Sequence, residues 1–220
     1  MSGPVENEDP HGEQPIEATG APLEVAEVAV VMVHGRGATA NGMLGLAREV
    51  WHSEIAYLAP QAFRSTWYPQ SFLAPIEANE PWLTSALGTV ERALARLSEA
   101  GIERERTVLL GFSQGACLAT EFAARNPTRY GGIVGLSGGL IGPEGSEFEY
   151  GGSLECTPVF LGCSDVDPHI PVERVHETAE VFDGLGAAVE KRIYEGMGHT
   201  VNEEEIEAVN ELLDGLIDGE

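Results

Sequence analysis

The sequence predicts an α/β fold: a doubly wound, mostly parallel sheet flanked by helices. Three observations carry this. Short apolar, β-branched runs alternate with amphipathic helical stretches through most of the 220 residues, as strands do when joined by helical crossovers. Most connections are short, and none is long enough to hold a large cap domain. Glycine-bearing loops follow the strands, so they converge on the carboxyl edge of the sheet, where sites in such folds lie. The length suits one hydrophobic core, placed at 25–220.

Residues 1–24 carry Pro4, Pro10, Pro15 and Pro22 among glycines and acids. With scarcely any apolar pattern, they read as a disordered or loosely attached tail. His11 within it reads as solvent-exposed and idle. The run 25–33 is a strand whose last residues are apolar on both faces. It ends in His34-Gly35-Arg36-Gly37-Ala38-Thr39, a loop whose glycines let a backbone N–H approach a ligand, and a helix is expected at 42–50. His34 precedes the nucleophile described below and is assigned to bracing this loop. Residues 54–60 form the next strand. The connection 61–80 holds Trp67, Tyr68, Phe72, Leu73 and Ile76; so long a loop has either a functional role or structure of its own. Its aromatics, Trp67, Tyr68 and Phe72 first, read as a substrate-facing wall or partial lid, or equally as a cluster pinning the loop. Pro81 then opens a helix, and Leu83, Leu87, Val90, Leu94 and Leu97 mark its buried face up to Gly101.

The strand at 106–112 runs into Gly111-Phe112-Ser113-Gln114-Gly115, and a helix leaves at 114–125. This is G-x-S-x-G in its required context of strand, sharp turn and helix. A serine hydroxyl is a poor nucleophile and must stand clear of the backbone, where a base can take its proton. Gly111 and Gly115 leave that room. The amide of Gln114, at a helix N-terminus, then points toward a developing oxyanion. The loop after the strand at 25–33 is placed to supply a second donor, the amide of Arg36.

A strand at 131–137 follows, then a glycine-rich acidic loop to residue 157 expected to wander over the surface. The strand 158–162 leads into Cys163-Ser164-Asp165-Val166-Asp167-Pro168-His169-Ile170-Pro171. Val172, Val175, Ala179, Phe182 and Leu185 mark a helix, 188–194 the last strand, and 202–217 the last helix. Serine chemistry needs a base and an orienting carboxylate, in the chain order Ser, acid, His for this topology. Three histidines follow Ser113: His169, His176 and His199. His176 falls mid-helix and His169 in the acid-bearing loop. His199, in Gly196-Met197-Gly198-His199, sits after the last strand, where the base belongs. The acid is Asp165 or Asp167; spacing alone does not choose.

The chain resembles the carboxylesterase/phospholipase branch of the α/β-hydrolases, which includes the acyl-protein thioesterases. The resemblance lies in His34-Gly35-Arg36-Gly37, Leu110-Gly111-Phe112-Ser113-Gln114-Gly115, Asp167-Pro168-His169-Ile170-Pro171 and Gly196-Met197-Gly198-His199. Each motif is modest, but four in the right order are highly specific. The resemblance implies an α/β-hydrolase fold with Ser113 as nucleophile, His199 as base, Asp167 as orienter, and the amides of Arg36 and Gln114 as oxyanion hole. It implies a small-molecule ester substrate, no cofactor, and, by resemblance alone, a homodimer. Family members often carry an Asp soon after the first glycine loop, where this chain has Gly37-Ala38-Thr39. The resulting expectation is a serine carboxylester hydrolase for small to medium acyl groups. The alternatives are a thioesterase or lysophospholipase on the same machinery and, from another class, a binding protein on a hydrolase frame.

Thirty-six acidic residues face twelve basic ones, a net charge of -24, and Lys191 is the only lysine. Such single-signed charge destabilises a compact state unless salt screens it, which points to work in concentrated salt. It also argues against nucleic-acid binding, since no basic patch is available to replace phosphate counterions. Cys117, Cys156 and Cys163 have no metal or disulfide spacing and read as small buried residues. Without an apolar run of about 18 residues or a leader pattern, a soluble cytoplasmic protein is expected. The G-K-[ST] ending of a phosphate-binding loop is missing after Gly35.

Overall fold

Six consecutive buried residues form strand β2, Val28–Val33, and their alternation decides how the layers sit. Val28, Val30 and Met32 pack into one core; Ala29, Val31 and Val33 pack into the other. A strand buried on both faces needs helices on both sides. The protein is described here by a computed structural model covering residues 9–219.

The remaining strands are β1 Ile16–Gly20, β3 Ile55–Pro60, β4 Thr107–Phe112, β5 Gly132–Leu136, β6 Pro158–Ser164 and β7 Ala188–Tyr194; the helices are α1 Ala40–Leu46, α2 Trp82–Glu99, α3 Gln114–Arg125, α4 Val172–Gly184 and α5 Glu203–Asp218. They form one seven-stranded sheet in the order β1-β3-β2-β4-β5-β6-β7. Only β1 runs antiparallel to its neighbour. Helices α1 and α5 cover one face, through Met43, Val209 and Leu213. Helices α2, α3 and α4 cover the other, through Leu83, Val90, Phe122, Val175 and Phe182. This is the doubly wound α/β-hydrolase arrangement expected from the alternation of elements.

Three expectations need correction. First, the tail is ordered over its described part. Strand β1 pairs with β3 from Ile16↔Pro60 to Gly20↔Ala56, and His11 is completely buried. An edge strand is held by its backbone ladder and needs little apolar periodicity, so nothing in its composition announced it. The rest of the expected tail, residues 1–8, lies outside the described residues. Second, the loop after β5 starts inside the fold: residues 137–142 are buried, and it runs mostly at the surface, as expected, only from Pro143 on. Two buried charged side chains satisfy its backbone. Arg174 donates to the carbonyls of Leu140, Gly142 and Pro143, while Glu121 accepts from the amide of Ile141 and the hydroxyl of Tyr150. Third, Cys156 is exposed, whereas Cys117 and Cys163 are buried as expected.

Smaller differences have local causes. Helix α1 starts at Ala40 because Thr39 caps it, its hydroxyl accepting from the amide of Gly42 at 3.1 Å. Helix α5 starts on a capping box: Asn202 accepts from the Glu205 amide at 2.8 Å and Glu205 accepts from the Asn202 amide at 2.9 Å. Among the described residues no helix is long and apolar enough to cross a membrane.

Candidate active site

Strand β4 lies centrally between β2 and β5, and its last residues deliver Ser113 to the carboxyl edge. Ser113 has φ 56° and ψ −122°, a conformation rare for a residue with a side chain. Its amide donates to the carbonyl of Leu136 at 2.9 Å, and its carbonyl accepts from the amide of Cys117 at 3.0 Å. Two glycines make the turn possible. A Cβ on Gly111 would stand 2.2 Å from the carbonyl oxygen of Gly115, and one on Gly115 would stand 2.0 Å from that of Val33. Both obstructions are backbone, so no side-chain movement relieves them.

The end of β7 leads into the turn that carries His199. Nε2 of His199 is 2.9 Å from Ser113 Oγ, and Nδ1 is 2.7 Å from Asp167 Oδ2. Asp167 accepts from Nδ1–H, which leaves Nε2 free to accept from the serine hydroxyl. The Asp167 side chain is closed off from solvent. Its other oxygen accepts from the amides of His169, at 2.8 Å, and Ile170, at 3.1 Å. Burial alone pushes its pKa up; the hydrogen bonds from His199 and these amides outweigh that and hold it below the usual carboxylate range. Asp165 faces elsewhere: it is exposed, and its carboxylate accepts from the amide of Gly196 at 2.8 Å. Together with Ser164, whose hydroxyl accepts from the amide of Gly198 at 3.1 Å, it fastens the histidine turn to β6. The Phe112 ring lies 5.0 Å from the His199 ring, and His169 meets it edge-on at 4.8 Å.

The loop after β2 brings Arg36 to the same edge. Among the described residues the backbone amides of Arg36 and Gln114 donate to no protein group. Their side chains are tied to the stretch after β3. The Arg36 guanidinium donates to the carbonyls of Tyr68, Pro69 and Gln70. The Gln114 carboxamide accepts from the Trp67 amide and donates to the Tyr68 carbonyl, each at 2.9 Å. His34 braces the loop from below, donating through Nδ1 to the Gly35 carbonyl and accepting through Nε2 from the Ala62 amide. Burial, only partly offset by the Gly35 carbonyl, lowers its pKa.

A cleft of about 390 Å³ opens over Ser113 and His199. Tyr68 and Phe72 line it, as expected of a wall. Trp67 does not. Its ring is fully buried, its indole N–H donates to the His34 carbonyl at 2.8 Å, and it packs on His34 and His11. The aromatic cluster therefore does both things considered for it, one member pinning the loop and two facing the cleft.

Cys117, His169 and Ile170 also line the cleft, and sequence reasoning passed over them. Cys117 stands one helical turn beyond Ser113, and the other two come just after Asp167-Pro168, so spacing held the signal. Burial raises the Cys117 thiol to about 11, despite a hydrogen bond with the backbone of Gly139; it is a wall, not a nucleophile. Among the described residues no three His, Cys, Asp or Glu side chains are grouped to hold a metal ion.

The profile of the phospholipase/carboxylesterase family matches residues 15–217. A phospholipase/carboxylesterase from Dyadobacter fermentans is 42% identical, with a TM-score of 0.88 over 91% of this chain and 96% of that one. Acyl-protein thioesterase 1 of Saccharomyces cerevisiae is 26% identical over 208 residues, 85% of this chain and 92% of the yeast protein. Its Candida albicans counterpart is 28% identical over 218 residues, 88% and 94% of the two chains. A Bacillus cereus carboxylesterase, 18% identical with a TM-score of 0.71 over 93% and 95%, shares the fold. The chain belongs to the phospholipase/carboxylesterase family of α/β-hydrolases.

Proposed function

We propose that this protein is a serine carboxylester hydrolase that cleaves small to medium acyl esters through an acyl-enzyme. One observation supports the reading above all others: the run from Asp167 Oδ2 to His199 Nδ1, and from His199 Nε2 to Ser113 Oγ, with both links within hydrogen-bonding distance and opening on a cleft. In this scheme Ser113 Oγ attacks the ester carbonyl as its proton passes to His199 Nε2. The imidazolium that forms is stabilised by Asp167. The amides of Arg36 and Gln114 stabilise the tetrahedral oxyanion. His199 then protonates the departing alkoxide, the C–O bond breaks, and the acyl group stays on Ser113. Water, deprotonated by His199, releases the acid and restores the hydroxyl.

The cleft volume lies at the small end of the range for small-molecule pockets, which favours short and medium acyl groups. Tyr68, Phe72 and Ile170 supply its apolar wall. A thioesterase reading has its own support, since the yeast and Candida relatives are acyl-protein thioesterases; the same attack serves a thioester with a thiolate leaving. The deciding experiment combines a fluorophosphonate probe, with the adduct located by mass spectrometry, and a chain-length panel of matched esters and thioesters. The reading expects modification at Ser113, its loss in Ser113→Ala with turnover down by several orders of magnitude, and kcat/KM peaking below long-chain acyl groups. A Ser113→Ala enzyme of near-normal activity rules the mechanism out. Preference for thioesters across the panel moves the assignment to the second reading.

A further inference from the structure

The N-terminal arm carries a buried imidazole that the scheme above does not use. His11 accepts through Nδ1 from the Phe63 amide at 3.0 Å and donates through Nε2 to the Trp67 carbonyl at 2.9 Å. Because Nδ1 receives an amide proton, the ring's own proton sits on Nε2. Burial, partly offset by the Trp67 carbonyl and Asp9, keeps its pKa below the ordinary value, which suits this neutral form. The residue itself is pinned. Its amide donates to Ser85 Oγ at 2.9 Å, and its carbonyl accepts from Arg92 at 2.8 Å. The Ser85 hydroxyl in turn donates to Asp9. The rings of Trp67 and Trp82 enclose it at 5.4 and 5.5 Å.

His11 therefore clamps both ends of the segment 63–67. That segment is what joins the two sides of the candidate oxyanion site. Trp67 and Tyr68 hold the Gln114 side chain through an amide and a carbonyl, and the Tyr68 carbonyl also receives the Arg36 guanidinium. The Trp67 indole holds the carbonyl of His34, two residues before Arg36. The amides of Arg36 and Gln114 come from loops after different strands, and the stretch 67–70 ties them to each other.

We propose that His11 is a positioning residue for the oxyanion hole, acting through Trp67 to set the spacing between the amides of Arg36 and Gln114. The proposal rests on the esterase reading above. A displaced donor stabilises the transition state less while leaving substrate binding alone, so the effect belongs to kcat and not to KM.

The test compares the full chain with H11A, H11N and H11Q. Asn places an acceptor near the position of Nδ1, Gln a donor near that of Nε2, and Ala neither. Active sites are counted by fluorophosphonate labelling, so that kcat refers to folded, reactive serine. Affinity is measured for a trifluoromethyl ketone, to whose carbonyl carbon Ser113 Oγ adds, its proton passing to His199 and an oxyanion remaining in the hole. The methyl ketone of the same chain serves as the ground-state comparison. H11A is expected to lower kcat about ten- to a hundredfold, the scale of a misplacement near 1 Å, with KM unchanged. Affinity for the trifluoromethyl ketone falls by the same factor, that for the methyl ketone does not, and H11N or H11Q recovers part of both losses.

An H11A enzyme with normal kcat per labelled serine overturns the proposal. So does a loss confined to the labelled fraction or the unfolding temperature, which marks a merely structural role. Should H11A not fold, H11N and H11Q carry the same test, and normal kcat in both overturns it. A wild-type Ser113 that takes no label overturns the esterase reading itself, and the clamp with it.

Discussion

Asp165 and Asp167 leave the same strand end two residues apart and serve different partners. Asp167 meets Nδ1 of His199, while Asp165 receives the amide of Gly196. Asp167→Asn puts a carboxamide against that nitrogen and favours the wrong imidazole tautomer. A fall in kcat of about four orders of magnitude follows from the comparable change in serine proteases. Asp165→Asn keeps an oxygen for the Gly196 amide and leaves the His199 link untouched, so kcat/KM stays near normal. Steady-state kinetics on the two variants tests this, and a collapse in Asp165→Asn alone would reverse the assignment.

The glycines of the elbow make a stability prediction. Gly115→Ala drives a methyl into the carbonyl of Val33 at the end of β2, 2.0 Å away. The backbone must shift, at a cost of about 1–3 kcal/mol or more for overpacking. Gly45 has nothing within 4 Å of an added Cβ and lies in α1, so Gly45→Ala is neutral or stabilising. Urea unfolding of both separates a steric requirement from a generic dislike of substitution. Equal midpoints for the two variants would contradict it.

Much of the site's geometry follows from local sequence, and what does not follow depends on distant contacts. Ser113 was legible because its turn writes its own requirements into Gly111 and Gly115, within two residues on either side. The sheet was legible because β2, β4 and β6 are buried on both faces and so carry unbroken apolar runs. Spacing alone did not separate Asp165 from Asp167, since their partners Gly196 and His199 lie some thirty residues on; only the family resemblance chose Asp167. His11 was misread for the same reason: its ring partners, Phe63 and Trp67, are 52 and 56 residues away. The first residues of the loop after β5 read as surface because Arg174 and Glu121, which satisfy their backbone, stand on helices α4 and α3.

Glu205 ties stability to pH. It is fully buried, and burial raises its pKa to about 7 against the pull of the Asn202 amide. One oxygen serves the capping box; the other has no hydrogen-bond partner among the described residues. Its folded pKa thus exceeds the unfolded value of about 4.3, so the fold prefers the protonated form. The penalty for ionisation is absent below the unfolded pKa, grows as pH rises toward 7, and is complete above it. Glu205→Gln removes this dependence while keeping an acceptor for Asn202. The variant should match the wild type near pH 4 and exceed its stability at pH 8 by up to about 3 kcal/mol. Chemical denaturation at the two pH values measures the gap, and a gap that shrinks with pH would refute the sign.

We further propose that the acidic surface is an adaptation to concentrated salt, and α5 shows how it acts. Glu203 and Glu204 open the helix, where its dipole favours anions, but its last turn carries no basic residue and ends at Asp218. That residue belongs to the helix's last turn, at the negative end of the dipole, and it is exposed. With thirty-six acids against twelve basic residues, the net charge of -24 adds self-repulsion of the same sign. The Debye length falls from about 10 Å at 0.1 M salt to about 3 Å at 1 M, so molar salt removes most of this cost. The melting temperature should rise on going from 0.1 to 2 M KCl. Asp218→Lys should raise it by about 1–3 °C in low salt, and that gain should vanish in 2 M KCl. A wild-type melting temperature that stays flat, or an Asp218→Lys gain that survives in high salt, removes the electrostatic explanation and leaves the charge without a role in stability.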